Sequence, residues 1–213
     1  MAALTFYTHP MSRGRIVRWM LEEVGAPYAT VPVAYGEEMK APGYRALNPM
    51  GKVPALVHHG TVVTECAAIC AYLADAFPEA GLAPPPAERG GYYRWLFFGA
   101  GPVEAAVTNA AMGWHAEEPQ HEARLGYGSL AHVLDTLDAH LQGRAWFLDS
   151  GFSTVDVYLG SQIAWGLTVG TMGTRPAFEA YVARLQSRPA ATRAREKDEA
   201  LMPAAPAGTS GGA

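Results

Sequence analysis

The sequence predicts an α/β domain followed by an all-α domain. Three observations carry that expectation. Across residues 1–80, short β-rich runs and helical spacings alternate in the order βαβ and then αββα. Residues 81–88 hold Pro84-Pro85-Pro86, a stiff, extended linker signal. From residue 89 onward every periodic segment has helical spacing. The expected units are therefore 1–80, a proline-rich linker 81–88, and a helical domain 89–213 whose small, Gly-rich tail frays from about residue 203.

Each element has a local reason. Leu4 to Tyr7 is a β-rich run, so a strand begins almost at once, and His9-Pro10-Met11-Ser12 breaks it. Ile16, Val17, Met20, Leu21 and Val24 follow at helical spacing, and Gly25 suits the C-cap. Tyr28 to Val33 is aromatic and β-branched, a second strand. Gly36, Pro42 and Gly43 make 34–47 irregular, with room for a short helix. Pro54 to Val57 and Thr61 to Thr64 read as strands joined at His58-His59-Gly60, and Glu65 to Phe77 as a helix. The spacing beyond the linker predicts helices over 89–114, 122–141, 155–169, 176–187 and 190–201. Ser153, three residues before Asp156, forms a capping box at one of these starts.

Composition narrows the function classes. The 213 residues are 49% hydrophobic, enough for a real core. A net charge of −4 with no basic run argues against nucleic acid. No apolar stretch approaches the roughly 18 residues of a membrane span, and the start lacks a signal-peptide pattern. Two cysteines four residues apart, Cys66 and Cys70, match neither a redox motif nor a disulfide framework, so a reducing cytoplasm is the expected setting. The histidines never take a metal-ligand spacing such as H-E-x-x-H, so no metal is expected.

The most informative stretch is Asn48-Pro49-Met50-Gly51-Lys52-Val53-Pro54, followed by Thr64-Glu65-Cys66 at a strand-to-helix turn. With Val53-Pro54 cis, the Val53 N–H and C=O would face outward and pair with an extended peptide. A helix N-terminus beside them attracts a carboxylate. The expected guest is a small, peptide-like anion.

These residues and their order resemble a cytosolic glutathione transferase of the bacterial, serine-using kind, over roughly residues 3 to 202. Val53-Pro54 resembles the family's cis-proline loop. Glu65-Cys66-x-Ala68-Ile69-x-x-Tyr72-Leu73 resembles its Glu-Ser-x-Ala-Ile-x-x-Tyr-Leu helix, with Cys66 where the family carries serine. Ser153-x-x-Asp156 resembles its capping box, and Ser12 its thiol-activating serine. The resemblance implies a thioredoxin-like N-terminal domain, a helical C-terminal domain, a homodimer, and glutathione as co-substrate. It makes Ser12 the catalytic contact to the thiol, where position alone reads as a helix cap. Tyr7 is the rival. It makes Glu65 the partner of the glutathione ammonium, Cys66 the holder of the γ-glutamyl carboxylate, Lys52 of the glycyl carboxylate, and Val53 and Pro54 the peptide edge. Arg13 would support glutathione or its thiolate. His9, Met11 and Trp114 are the candidates for the second-substrate pocket, Trp114 because Gly113 suggests a helix end near an opening.

The implied chemistry is stabilisation of the glutathione thiolate and its attack on an apolar electrophile. Lowering a thiol pKa from about 8.5 by about two units requires about 2.7 kcal/mol. A hydroxyl donated to the charged sulfur supplies about 1.5–3 kcal/mol and a helix N-terminus about 0.3–1. Two alternatives stay open: a non-catalytic module that binds glutathione or hydrophobic ligands on the same fold, and glutathione-dependent peroxide reduction or thiol exchange.

Overall fold

The computed structural model describes residues 4–202. The expectations for the first three residues and for the tail lie outside them. β1 (Leu4–Thr8) leads into α1 (Gly14–Val24), which ends on Gly25 in the left-handed region at φ 74°. β2 (Ala29–Pro32) follows, then two short helices, α2 (Glu37–Lys40) and α3 (Pro42–Arg45), in the segment expected to be irregular. β3 (Ala55–His58), β4 (Thr61–Thr64) and α4 (Cys66–Ala76) complete the first half. The sheet order is β2-β1-β3-β4. β1 runs parallel to β2, with Phe6 opposite Thr30, and antiparallel to β3, with Phe6 opposite Leu56. β4 closes the sheet antiparallel to β3. This is the thioredoxin-like arrangement the resemblance implied.

Residues 78–88 are less extended than the prolines suggested. They form two 3-10 turns, Pro78–Ala80 and Pro86–Glu88. Between them Leu82 is buried, and its carbonyl accepts the Thr154 N–H at 2.8 Å and hydroxyl at 3.0 Å.

The helical half begins with α5 (Gly90–Phe98), passes through a π turn (Gly99–Val103), and continues as α6 (Glu104–Ala111). The sequence suggested one uninterrupted helix here. Pro102 has no N–H to continue the i→i−4 ladder, and the wider π turn absorbs the gap. Gly99 sits in this turn because a Cβ there would come within 2.9 Å of the Tyr158 ring. The helix expected over 122–141 is also divided. α7 (Pro119–Glu122) is one turn, and α8 (Leu130–Leu141) starts afresh where Ser129 Oγ accepts the His132 N–H at 3.2 Å. α9 (Thr154–Val169), α10 (Pro176–Gln186) and α11 (Pro189–Glu199) follow near their expected bounds.

One buried apolar cluster runs from Leu4 and Phe6 in the sheet through α1 and α4 to Leu159 and Ile163 of α9 and Ala194 of α11. Polar ties fix α1 against the helices at the chain's end. Arg18 and Asp198, both buried, pair at 2.6 Å, and Glu23 takes a fork from Arg188 at 2.7 and 2.8 Å.

The capping box at α9 does more than start a helix. Asp156 Oδ2 accepts the Ser153 N–H at 2.9 Å, while Oδ1 accepts the Phe147 N–H at 3.0 Å and the Tyr181 hydroxyl at 2.8 Å. Every acceptor edge of this buried carboxylate is used, and it joins three segments. Among the described residues no helix is long and apolar enough to cross a membrane.

Candidate active site

The site forms where the N-termini of α1 and α4 meet the loop before β3. Val53-Pro54 is cis. The loop ahead of it is held from three sides. Asn48 Nδ2 and the Tyr44 hydroxyl donate to the Lys52 carbonyl at 2.7 and 2.8 Å, and Lys40 Nζ donates to the carbonyls of Met50 and Gly51 at 3.1 and 2.9 Å. Asn48 Oδ1 accepts the Met50 N–H at 3.1 Å, an Asx turn. Burial pushes the Tyr44 phenol up to about 12, which keeps it a neutral donor. The result is a fixed Val53 whose N–H and C=O have no partner among the described residues. Sequence reasoning gave no role to Asn48, Tyr44 or Lys40. Of these, Asn48 was findable, because Asn before a Pro-x-Gly turn favours this side-chain bond.

At α4, Glu65 occupies the N-cap at φ 66°, ψ 119°, a conformation costly for a residue with a Cβ. Its exposed carboxylate makes no hydrogen bond or ion pair among the described residues. The following residue differs from expectation. The Cys66 thiol faces inward and donates to the Arg13 carbonyl at 3.6 Å, so it cannot stand in for a serine hydroxyl facing a carboxylate. The same contact sets the start of α4 against the start of α1. Cys70, one turn on, is wholly buried, and burial raises its thiol well above the ordinary range.

At α1, Ser12 Oγ donates to the His9 carbonyl at 2.7 Å and accepts the Gly14 N–H at 2.9 Å. The His9 carbonyl also takes the Ser12 N–H at 3.0 Å. Gly14 is required here: a Cβ would lie 2.0 Å from Thr8 Oγ1. Arg13 does not turn toward the thiol position. Its guanidinium forks onto Glu104 at the head of α6, joining the two halves across the cleft mouth, and only its N–H remains without a partner.

A cleft of about 780 Å³ opens between the halves. Ser12, Arg13, Lys52, Val53 and Met11, half of the ten expected residues, line it together with Tyr35 and Met39, while Pro54, Glu65 and Cys66 are outside the lining. His9 lies beneath the loop, its ring 4.0 Å from that of Tyr35 and its Nδ1 accepting the Met11 N–H at 3.2 Å. Tyr7 packs on Tyr44 in a small cluster behind the loop rather than in the cleft. Trp114 is absent from the lining, because α6 stops at Ala111 and Gly113, at φ 71°, turns the chain away. The exposed tryptophan that does line the cleft is Trp165, on α9. Sequence reasoning missed it because it sits in a helix whose other residues are mostly buried. Among the described residues no group of three or more His, Cys, Asp or Glu could hold a metal ion.

A four-stranded mixed sheet with a fixed, unpaired main-chain edge, two helix N-termini and a helical wall define a thioredoxin-like protein with an appended helical half. The family described as glutathione S-transferase, N-terminal domain, matches residues 11–76. Glutathione S-transferase 1 of Schizosaccharomyces pombe is 30% identical over 178 residues, covering 78% of this chain and 75% of the relative. The structure of a glutathione S-transferase from Xylella fastidiosa superposes with a TM-score of 0.76 at 28% identity, covering 92% of this chain and 98% of that one. A sphingomonad glutathione S-transferase complexed with glutathione gives a TM-score of 0.72 at 28% identity, with the same coverage. The chain belongs to the glutathione S-transferase family.

Proposed function

We propose that this glutathione transferase holds glutathione along the Val53 edge, ionises its thiol at Ser12, and joins the sulfur to an apolar electrophile in the cleft. The observation that carries the reading is the fixed Val53 main chain, unpaired beside the two helix N-termini. An extended peptide supplies the N–H and C=O that this edge lacks. The γ-glutamyl carboxylate takes the free N–H groups at the start of α4, Cys66 included through its backbone. Glu65 takes the ammonium, and its strained backbone is the kind of cost a binding role sustains. Lys52 takes the glycyl carboxylate.

For ionisation, the Ser12 hydroxyl turns from the His9 carbonyl to the sulfur. The carbonyl keeps the Ser12 N–H, so nothing is orphaned by the turn. The Gly14 N–H stays on Oγ and polarises the O–H toward the thiolate. The Arg13 N–H adds a second donor at the helix tip. Holding thiolate and electrophile side by side contributes the rest. The thiol proton leaves to solvent, and the sulfur then bonds to the electrophilic carbon as that carbon's leaving group departs with the bonding pair. The side chain of Arg13 serves the domain contact instead, and a non-catalytic module is the outcome if turnover is absent. Thiol exchange is disfavoured by two inward-facing, buried cysteines.

A homodimer in the cytoplasm completes the reading. Tyr93 and Phe97 stand exposed four residues apart on α5, with Val62 exposed on β4, where a second copy would cover them. Light scattering at micromolar concentration tests this: a dimer mass is expected, and a monomer mass overturns it. Conjugation of glutathione to chlorodinitrobenzene, followed by absorbance, tests the activity. Turnover is expected, and glutathione binding without turnover favours the non-catalytic module.

A further inference from the structure

We propose that Arg15 and Arg195 select a second substrate bearing a carboxylate or sulfonate on an aromatic electrophile. The proposal rests on the transferase reading above and names its substrate class. Ser12, Arg15, Ile16 and Trp19 line the cleft at spacings of three, four and seven, so they share one face at α1. Ala191, Ala194, Arg195 and Asp198 repeat those spacings on α11. The two faces bring both guanidinium groups to the same wall.

The charges lining the cleft leave few free. Arg13 and Glu104 neutralise each other, and Asp198 is held by Arg18. Lys52 stands on the glutathione side, next to Val53. Arg15 and Arg195 remain, their side chains without a hydrogen bond or an ion pair to a described residue, Arg15 standing within the field of the Asp198 carboxylate that Arg18 holds. Arg15 is half-buried, and its Nε is shut off from water without a partner. A shielded guanidinium with open donors is set up for a planar anion, which it grips bidentately. Glutathione has two carboxylates, and Lys52 and the α4 N-terminus already take both. Arg15 lies three residues past Ser12, and its N–H donates to the Ser12 carbonyl at 3.2 Å. An anion held there shares the cleft with Ser12. Trp165 and Trp19 line the space alongside, which suits an aromatic ring.

The test compares 4-chloro-3-nitrobenzoate with its methyl ester. In both, the thiolate bonds to the chlorine-bearing ring carbon, and the C–Cl bond breaks to release chloride. The readout is the ratio of kcat/KM for acid over ester, which cancels the intrinsic reactivity of each ring when variants are compared. Arg15→Gln and Arg195→Gln are each expected to lower that ratio by about tenfold or more, the worth of a charge-assisted hydrogen bond. The wild-type ratio is also expected to fall with added salt. A ratio unchanged in both variants overturns the proposal. Equal loss on both substrates with a raised KM for glutathione also overturns it, assigning Arg15 to glutathione instead. Should Arg15→Gln fail to fold, the exposed Arg195→Gln and the conservative Arg15→Lys carry the comparison. No conjugation of either compound by the wild type, with chlorodinitrobenzene also inert, strikes the transferase reading itself. Chlorodinitrobenzene turnover with inert acid but active ester strikes only the anion selection.

Discussion

Replacing Ser12 with Ala removes one hydroxyl whose present bonds are known. It donates to the His9 carbonyl at 2.7 Å, a neutral bond worth about 0.5–1.5 kcal/mol net. Turned to a thiolate, the same donor is worth about 1.5–3 kcal/mol. The carbonyl it leaves still holds the Ser12 N–H at 3.0 Å, so no desolvation cost is added. The difference, about 1–1.5 kcal/mol, corresponds to about one pKa unit of the bound thiol. Below the thiol pKa the thiolate fraction then drops about tenfold, and well above it the two enzymes converge. The assay is kcat/KM for chlorodinitrobenzene at saturating glutathione across pH 5.5 to 9.5, with the wild type alongside. The Ser12→Ala profile is expected to fall about tenfold at its acid end and to have its midpoint displaced upward by about one unit. A uniform loss with the midpoint unmoved would refute the reasoning, because Ser12 would then act only through the loop it caps. Loss of the Gly14 N–H acceptor is expected to lower stability by about 1 kcal/mol, read separately by urea unfolding.

Three further outcomes follow from the same contacts. Asp156→Ala orphans the buried donors of Phe147, Ser153 and Tyr181, and urea unfolding should show a loss of about 3–5 kcal/mol, with Asp156→Asn recovering only part because its amide edge meets donors. Glu65→Gly relieves a positive φ but deletes the ammonium partner; unfolding should show stability held or raised by about 1 kcal/mol, while calorimetry shows weaker glutathione binding. Burial beneath Trp95 and Phe147 holds the His140 imidazole below its ordinary pKa, so the unfolded chain takes the proton first. Stability should therefore fall as pH drops through the unfolded value of about 6.5, and His140→Gln should flatten that fall in pH-dependent unfolding.

β1 and α1 were legible because their signals are local: burial of period two in β1, and in α1 the apolar residues Ile16, Val17, Met20, Leu21 and Val24 at helical spacing, closed by Gly25. Asp156 was legible as a cap through Ser153 three residues earlier, yet its bond to Tyr181 was not, since 25 residues separate the two. The Arg13–Glu104 pair spans 91 residues and leaves no local trace, which is why Arg13 reads as a ligand residue in the sequence. Cys66 shows a finer limit. Its place at a helix start was readable, but the direction of its thiol depends on a carbonyl 53 residues away. The divided helices had signals that helical periodicity masks: Pro102 ahead of α6, and Gly126, Gly128 and Ser129 ahead of α8. For Trp114 the helix end at Gly113 was read, but not the direction in which that turn sends the chain.

The most direct test of the central claim is an ultraviolet difference titration of glutathione in complex with the wild-type protein, following the absorbance of the ionised sulfur against pH. The thiolate band is expected to rise with a midpoint about two units below the free value of about 8.5. A bound thiol that ionises at the free value, or a protein to which glutathione does not bind at all, would contradict it.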